Sequence, residues 1–177
     1  GKIESITKNT KIPQDYKTYN MDGLFLLPGL IDAHTHINAI AAATRALESG
    51  VTTARSANTP YYQDVALREM VKNGNLIGPD MVAAGVFVTP NLNETILADT
   101  LLGDLIIGVN DEPSLRKVVR INAMRGVDII KTRGTERAGL PYTDPRKQTY
   151  NEKQLSIIVD EASKHNLKVM AHAHGDE

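Results

Sequence analysis

The chain has 177 residues, 20 of them basic and 21 acidic, which gives a formal net charge of −1. This length allows one domain, or a small domain with an appendage, around a sizeable core. Because the charge is balanced, we expect neither nucleic acid nor a membrane surface among the partners. No apolar run approaches the ~20 residues of a spanning helix, so a soluble protein is expected. The absence of cysteine excludes disulfides and thiolate metal ligands and leaves the compartment open.

Residues 1–29 differ in composition and hydrophobic pattern from the rest of the chain. Short apolar pieces flank a stretch rich in Lys, Pro, Asp and Tyr, and a second apolar run, Leu24 to Leu27, leads into Pro28 and Gly29. This pattern predicts two short strands and a turn. We therefore separate an N-terminal β segment, residues 1–29, from a second region, residues 30–177.

From Leu30 onward, short apolar runs alternate with helical patterns, as they do in parallel βα units. Five strands are predicted, over residues 30–34, 51–54, 81–86, 127–131 and 167–172. Cap and stop signals delimit four helices: residues 39–48 before Gly50, a helix from Thr59 to Gly74, one from Asn110 or Asp111 to Gly126, and one that Asn151 and Gln154 begin as a capping box. Residues 87–109, which are mixed in character, are predicted to hold a loop with a short helix, and residues 134–150 a long loop.

Four of the five histidines lie at the carboxyl ends of predicted strands. His34 and His36 follow the first strand, and His172 and His174 follow the fifth. Sites in parallel α/β folds are built at this edge of the sheet. Two histidines that are two residues apart on an extended segment project to the same side and can share one ion. The motif alone would equally suit partly exposed histidines in a turn.

The sequence LPGLIDAHTH, residues 27–36, resembles the first metal motif of the amidohydrolase superfamily. The resemblance continues in family order at GVTT (50–53), GP (78–79), DIIK (128–131), the helix at residues 151–162 and HAHG (172–175). The chain is most similar to the imidazolonepropionase-like and Xaa-Pro dipeptidase-like, or prolidase-type, branch. The resemblance covers most of the sequence.

This resemblance implies a partial TIM-type (β/α) barrel, strands one to five, preceded by a segment of a small β-sandwich domain. A closed barrel of eight strands takes about 250 residues, so the chain would form only part of one. The missing strands would come from the rest of a longer polypeptide or from a second copy in a homo-oligomer. The family's strand-six histidine and strand-eight aspartate have no counterpart here, so we expect no turnover from these 177 residues alone.

The resemblance also implies a ligand set for two divalent metal ions, with zinc as the expected metal. His34 and His36 would bind one ion and His172 the other. Lys131 would bridge the two as a carbamate formed with carbon dioxide. His174 would lie on the substrate side of the centre.

The activity implied is hydrolysis of an amide-type C–N bond in a small molecule, either a dipeptide or an N-acyl amino acid, through a metal-bridging hydroxide. Arg133 and Tyr142, on or after strand four, could hold a substrate carboxylate. Arg137 is a further loop arginine that could do so. The alternative is a non-catalytic half-barrel that binds metal or oligomerises.

Overall fold

A computed structural model describes residues 3–8, 11–12, 14–139 and 141–175. Within these ranges, five strands alternate with four helices, as the sequence predicts. The strands are β1 (Leu30–Thr35), β2 (Val51–Ser56), β3 (Asp80–Val82), β4 (Ile129–Arg133) and β5 (Lys168–His172). The helices are α1 (Ile40–Glu48), α2 (Gln63–Lys72), α3 (Glu112–Met124) and α4 (Glu152–Lys164). Short 3₁₀ helices span Pro60–Tyr62, Asn93–Ala98 and Thr100–Ile107.

All strand pairings are parallel, in the orders β1-β2-β3 and β4-β5. The segment after β3 connects the two groups, because the Asp128 amide donates to the Ala83 carbonyl at 2.8 Å and the Val88 amide donates to the Lys131 carbonyl at 2.9 Å. In the part of the chain that the structure describes, β1 pairs only with β2 and β5 only with β4. The strands therefore form part of a barrel wall and do not close.

The third strand is shorter than predicted, ending at Val82 where the sequence predicts residue 86. Side chains from neighbouring helices accept hydrogen bonds from the backbone amides of residues 84–86. Asp64 Oδ2 accepts from the amides of Ala84 and Gly85 at 2.9 and 3.0 Å. The amides of Ala84 and Gly85 thus bond to a side chain and not to a neighbouring strand. The local apolar run continues through these residues, so it does not indicate where the strand ends.

Capping residues set the helix boundaries largely as predicted. Asp111 with Ser114 begins α3, and Asn151 with Gln154 begins α4, each as a capping box. The helix predicted from Thr59 starts later, at Gln63, because Tyr61 and Tyr62 take left-handed φ values of 59° and 54°. The Thr59 hydroxyl instead accepts from the Asp64 amide at 3.1 Å.

Two apolar clusters support the strands. The larger cluster lies between β4, α3 and α4 and includes Val118, Ile130 and Ile158, all fully buried. The 3₁₀ region adds Leu102 and Leu105 to it. The smaller cluster lies under α1 and α2. None of the helices in the described ranges is long and apolar enough to cross a lipid bilayer.

The two strands predicted before Leu30 are not present in the described part of that segment. Its side chains are exposed, and Phe25, for example, is 92% exposed. Apolar residues favour a strand only where a neighbouring strand or face packs against them, and these residues contact no such neighbour. The assignment of residues 1–29 to a β-sandwich domain stays a prediction.

Candidate functional site

A cleft of about 1330 Å³ opens at the carboxyl ends of the strands. Six of the seven residues predicted to form the site line it: His34, His36, Lys131, Arg133, His172 and His174. The parallel arrangement explains this grouping, because it brings the ends of distant strands to one edge. The register of β4 and β5 pairs Arg133 directly with His172.

The two histidines of the first motif lie next to each other, with ring centroids 5.6 Å apart. The His34 amide donates to Asp32 Oδ1 at 3.0 Å, which fixes the turn at the end of β1. His36 Nδ1 lies 2.9 Å from the carbonyl oxygen of Asn58, to which it can donate its proton. This bond favours the tautomer with a free Nε2 lone pair, an arrangement typical of metal-binding histidines.

Lys131 is almost completely buried at 2% exposure, in the middle of β4. Its Nζ has no hydrogen-bond partner among the described residues. Burial lowers the pKa of Lys131 to about 8, and the positive charges of Arg55 and Arg133 add to this effect. The amine is therefore still mostly protonated at pH 7, but a far larger fraction of it is neutral than in an exposed lysine, and the neutral form is the one that reacts with carbon dioxide.

Like Lys131, His172 has a buried nitrogen, Nε2, that has no hydrogen-bond partner among the described residues. Burial lowers the pKa of His172 to about 4, and the neighbouring His174 and Lys131 contribute. Burial and Lys131 also lower the pKa of His34. The imidazoles of His34 and His172 are thus neutral at pH 7, which is the form that binds metal.

These donors suit a divalent metal in type and protonation. Two buried nitrogens that lack partners, Lys131 Nζ and His172 Nε2, are what a missing ligand would leave behind. The described residues include no group of three or more His, Asp or Glu side chains arranged to hold an ion. The histidines lie in two pairs, on β1 and β5, so a complete centre needs further oxygen donors between them.

Of the three residues predicted as possible carboxylate ligands, the structure brings Arg133 and Arg137 to the cleft but not Tyr142. Arg133 Nε is buried without a partner in the described part, and the guanidinium lies 4.9 Å from the centroid of the Phe87 ring. Arg137 also lines the cleft. Tyr142 does not, because its loop turns outward at a left-handed φ of 61° and leaves the side chain fully exposed.

Some residues of the cleft carry no signal in the sequence. Asn58 contributes a backbone carbonyl, and its φ of 149° lies outside the regions that most residues adopt. Phe87 and Glu94 come from the region after β3 for which the sequence predicts a loop with a short helix, and the short 3₁₀ helix Asn93–Ala98 carries Glu94. The mostly polar stretch Asn91 to Thr95, interrupted by Leu92, is a sequence feature that could have indicated this wall of the cleft.

Comparisons with known proteins agree with this geometry. The profile of the amidohydrolase family matches residues 25–177. The chain is similar to ochratoxinase from Aspergillus niger, with 23% identity over 189 residues that cover 85% of this chain and 39% of that protein. It thus spans about two fifths of the length of the curated relatives that it matches.

Solved structures show the same relationship. A crystal structure assigned to a prolidase from Bifidobacterium longum is 30% identical, with a TM-score of 0.75 over 96% of this chain and 40% of that one. A Xaa-Pro dipeptidase with bound methionine is 24% identical, with a TM-score of 0.66 over 84% of this chain and 43% of that one. Since the family profile covers most of the sequence, the chain belongs to the amidohydrolase family.

Proposed function

We propose that this chain supplies part of the active site of a metal-dependent hydrolase. The enzyme would cleave an amide C–N bond in a dipeptide-like or N-acyl amino acid substrate. The observation that carries the proposal is the pair of buried, unpartnered nitrogens, Lys131 Nζ and His172 Nε2, in a cleft that His34 and His36 also line. Family membership supports the class of reaction.

In this proposal, His34 and His36 hold one ion and His172 holds the second. Lys131 reacts with carbon dioxide: the amine nitrogen bonds to the carbon, and a proton leaves to solvent. The resulting carbamate offers two anionic oxygens, which are the donors that the two histidine pairs lack. When bound, a pair of divalent ions such as zinc polarises the substrate carbonyl and lowers the pKa of water to near neutrality.

The surrounding residues hold these ligands in place. The Asn58 carbonyl orients the His36 ring, and Asp32 fixes the backbone of His34. The rings of His172 and His174 meet edge to face at 4.3 Å, and the His174 amide donates to the Thr135 hydroxyl at 2.9 Å. These contacts hold His174 beside His172, and in this proposal it lies on the substrate side of the centre.

Arg133 is the proposed anchor for a substrate carboxylate. A guanidinium binds a carboxylate through paired, charge-assisted hydrogen bonds. Phe87 packs against the guanidinium, which holds the Arg133 side chain in place before a ligand binds. Its Nε has no hydrogen-bond partner among the described residues, so it can donate to a ligand. Arg137 lies on the same wall. The name of the Xaa-Pro dipeptidase relative also favours a substrate with a free carboxylate.

The test measures metal content and hydrolysis in the intact protein, comparing Lys131→Ala with the wild type. We expect the variant to lose bound metal and to hydrolyse alanyl-proline and N-acetyl-proline at least 100-fold more slowly, since second-shell changes alone cost about 10- to 100-fold. Lys153→Ala, which removes an exposed lysine of α4, is the matched control. An intact protein that binds no metal, or that keeps its activity without Lys131, would contradict the proposal. Metal binding without hydrolysis would favour the non-catalytic alternative.

A further inference from the structure

The charges around the cleft are unevenly distributed. Three cationic side chains line it, those of Lys131, Arg133 and Arg137. Glu94 is the only carboxylate among the described lining residues. A cleft that served only to bind an anion would not need this group, so its position calls for a separate explanation.

Glu94 lies on a wall that is fixed by packing. It belongs to the 3₁₀ helix Asn93–Ala98, which follows the buried Leu92. The Thr95 amide donates to the Leu92 carbonyl at 2.9 Å, and Ile96 packs against the larger apolar cluster. The backbone of Glu94 is therefore held at the edge of the cleft.

The side chain of Glu94 is exposed and, in the described parts of the chain, makes no hydrogen bond or ion pair. Glu94 is also not part of a group of acidic and histidine residues that could hold a metal. Arg133 and Arg137 likewise form no ion pair with a described carboxylate. The cleft thus presents one free anionic group and at least two free cationic groups to whatever enters it.

We propose that Glu94 binds the α-ammonium group of a dipeptide whose carboxylate is held by Arg133. This inference rests on the proposed function and narrows its substrate class to dipeptides with a free amino terminus. A dipeptide carries opposite charges at its two ends, and its one amide bond lies between them. Two extended residues span at most about 7 Å, and Glu94 and Arg133 both line the same cleft.

N-acyl amino acids would bind less well for a physical reason. They lack the cation, so Glu94 would lose water on binding without gaining a partner. A hydrogen bond to a charged group is stronger than one between neutral groups, and a charge that loses water without gaining a partner opposes binding. The same carboxylate that attracts a free dipeptide therefore discriminates against an acylated one.

The experiment measures binding to the intact, metal-loaded protein by calorimetry. The probes are the ketomethylene analogue of alanyl-alanine, which lacks the amide C–N bond between the two residues, and its N-acetylated form. We expect the free amine to bind about tenfold or more tightly than the acetylated form. In Glu94→Gln the two affinities become similar. Glu48→Gln removes an exposed carboxylate at the end of α1, away from the cleft, and keeps the wild-type preference.

Equal binding of the two analogues to the wild type would overturn the proposal, as would a preference that survives in Glu94→Gln or binding of neither analogue. Thermal unfolding of each variant checks the fold. Hydrolysis assays on the same proteins separate this inference from the one on which it rests. Hydrolysis without a preference for the free amine contradicts the role of Glu94 alone, whereas a Glu94-dependent preference without hydrolysis contradicts the proposed function alone.

Discussion

At the scale of single residues, Lys131 is a buried cationic side chain with an unsatisfied amino group in the part of the chain that the structure describes. Its ammonium is buried in β4 without a hydrogen-bond partner, and burial lowers its pKa from 10.5 to about 8. A lysine whose pKa is lower in the folded protein than in the unfolded chain penalises folding, fully below pH 8 and not at all well above pH 10.5. This arrangement suits a functional group better than a structural one.

Replacing this lysine by methionine should therefore stabilise the metal-free protein. We expect Lys131→Met to raise the free energy of unfolding at pH 7 by about 1 to 3 kcal/mol, because an unpaired polar group leaves the interior. The gain should shrink as pH rises through 8. Urea unfolding in the presence of a chelator measures it, with Lys153→Met as the control. If Lys131→Met instead lowered the free energy of unfolding at pH 7, the Lys131 amine would have a hydrogen-bond or ion-pair partner in solution.

The sequence predicts which side chains form the candidate site better than it predicts the backbone groups and loops that position them. His34, His36 and His172 follow strands that apolar runs and glycines mark clearly, so their place at one sheet edge follows from the topology. The carbonyl of Asn58 carries no sequence signal, since every residue has one. Tyr142 was placed with Arg133 by its position after β4, but the path of a long loop is not set by local sequence.

At the scale of elements, polar side chains decide where β3 ends. The side chain of Asn122, fully buried on α3, accepts from the Val86 amide at 3.0 Å and donates to the Val86 carbonyl at 2.8 Å. Together with Asp64 it provides hydrogen-bond partners for the backbone of residues 84–86, which follow β3. The two helices that begin with capping boxes, α3 and α4, were predicted almost to the residue, whereas the end of this strand depends on contacts distant in sequence.

Asn122→Ala should accordingly be strongly destabilising. It leaves a buried amide and a buried carbonyl of Val86 without partners, each costing about 1 to 3 kcal/mol. We expect a loss of about 3 kcal/mol in urea unfolding. Asn73→Ala, at the exposed end of α2, changes the same residue type and should cost well under 1 kcal/mol. Similar losses in both variants would show that water replaces the Asn122 side chain.

The contact between α3 and α4 makes stability depend on pH. Glu161 on α4 is buried at 2% exposure, and burial alone would raise its pKa. Hydrogen bonds from Arg120, Arg116 and Lys164 outweigh burial and lower the pKa of Glu161 from 4.5 to about 2. Because the folded pKa is the lower one, this stabilisation is complete above pH 4.5 and is lost as pH falls towards 2.

Urea unfolding between pH 7 and pH 2 tests this assignment. We expect the wild type to lose stability between pH 4.5 and pH 2, and Glu161→Gln to show a smaller decrease over that range because residue 161 no longer ionises. Glu152→Gln, exposed in the first turn of α4, should keep the wild-type slope. Parallel curves for wild type and Glu161→Gln would assign the acid sensitivity to other carboxylates.

At the scale of the whole molecule, the strands form an open part of a barrel wall, with β1 and β5 at its edges. The alternation of strands and helices was enough to predict the parallel α/β arrangement. The N-terminal strands were not confirmed, since the exposed apolar residues there, such as Leu26 and Phe25, pack against nothing that would form a sheet. Strand prediction succeeded where a helix or another strand buries the apolar run.

The proposed metal centre also belongs to this scale, because it would join residues from both edges of the sheet through a residue of β4. His34 lies near the end of β1 and His36 directly after it, His172 ends β5, and Lys131 lies on β4, between them in sequence. All four line the cleft. No single element contains a complete site. The carbamate on Lys131 is what would connect the two histidine pairs.

A crystal structure of the intact protein, grown with zinc and bicarbonate and measured at the zinc absorption edge, tests this connection most directly. We expect two anomalous peaks in the cleft, one beside His34 and His36 and one beside His172, with additional density on Lys131 Nζ reaching both. Zinc bound elsewhere, or an unmodified lysine with no ion near these histidines, would contradict the account.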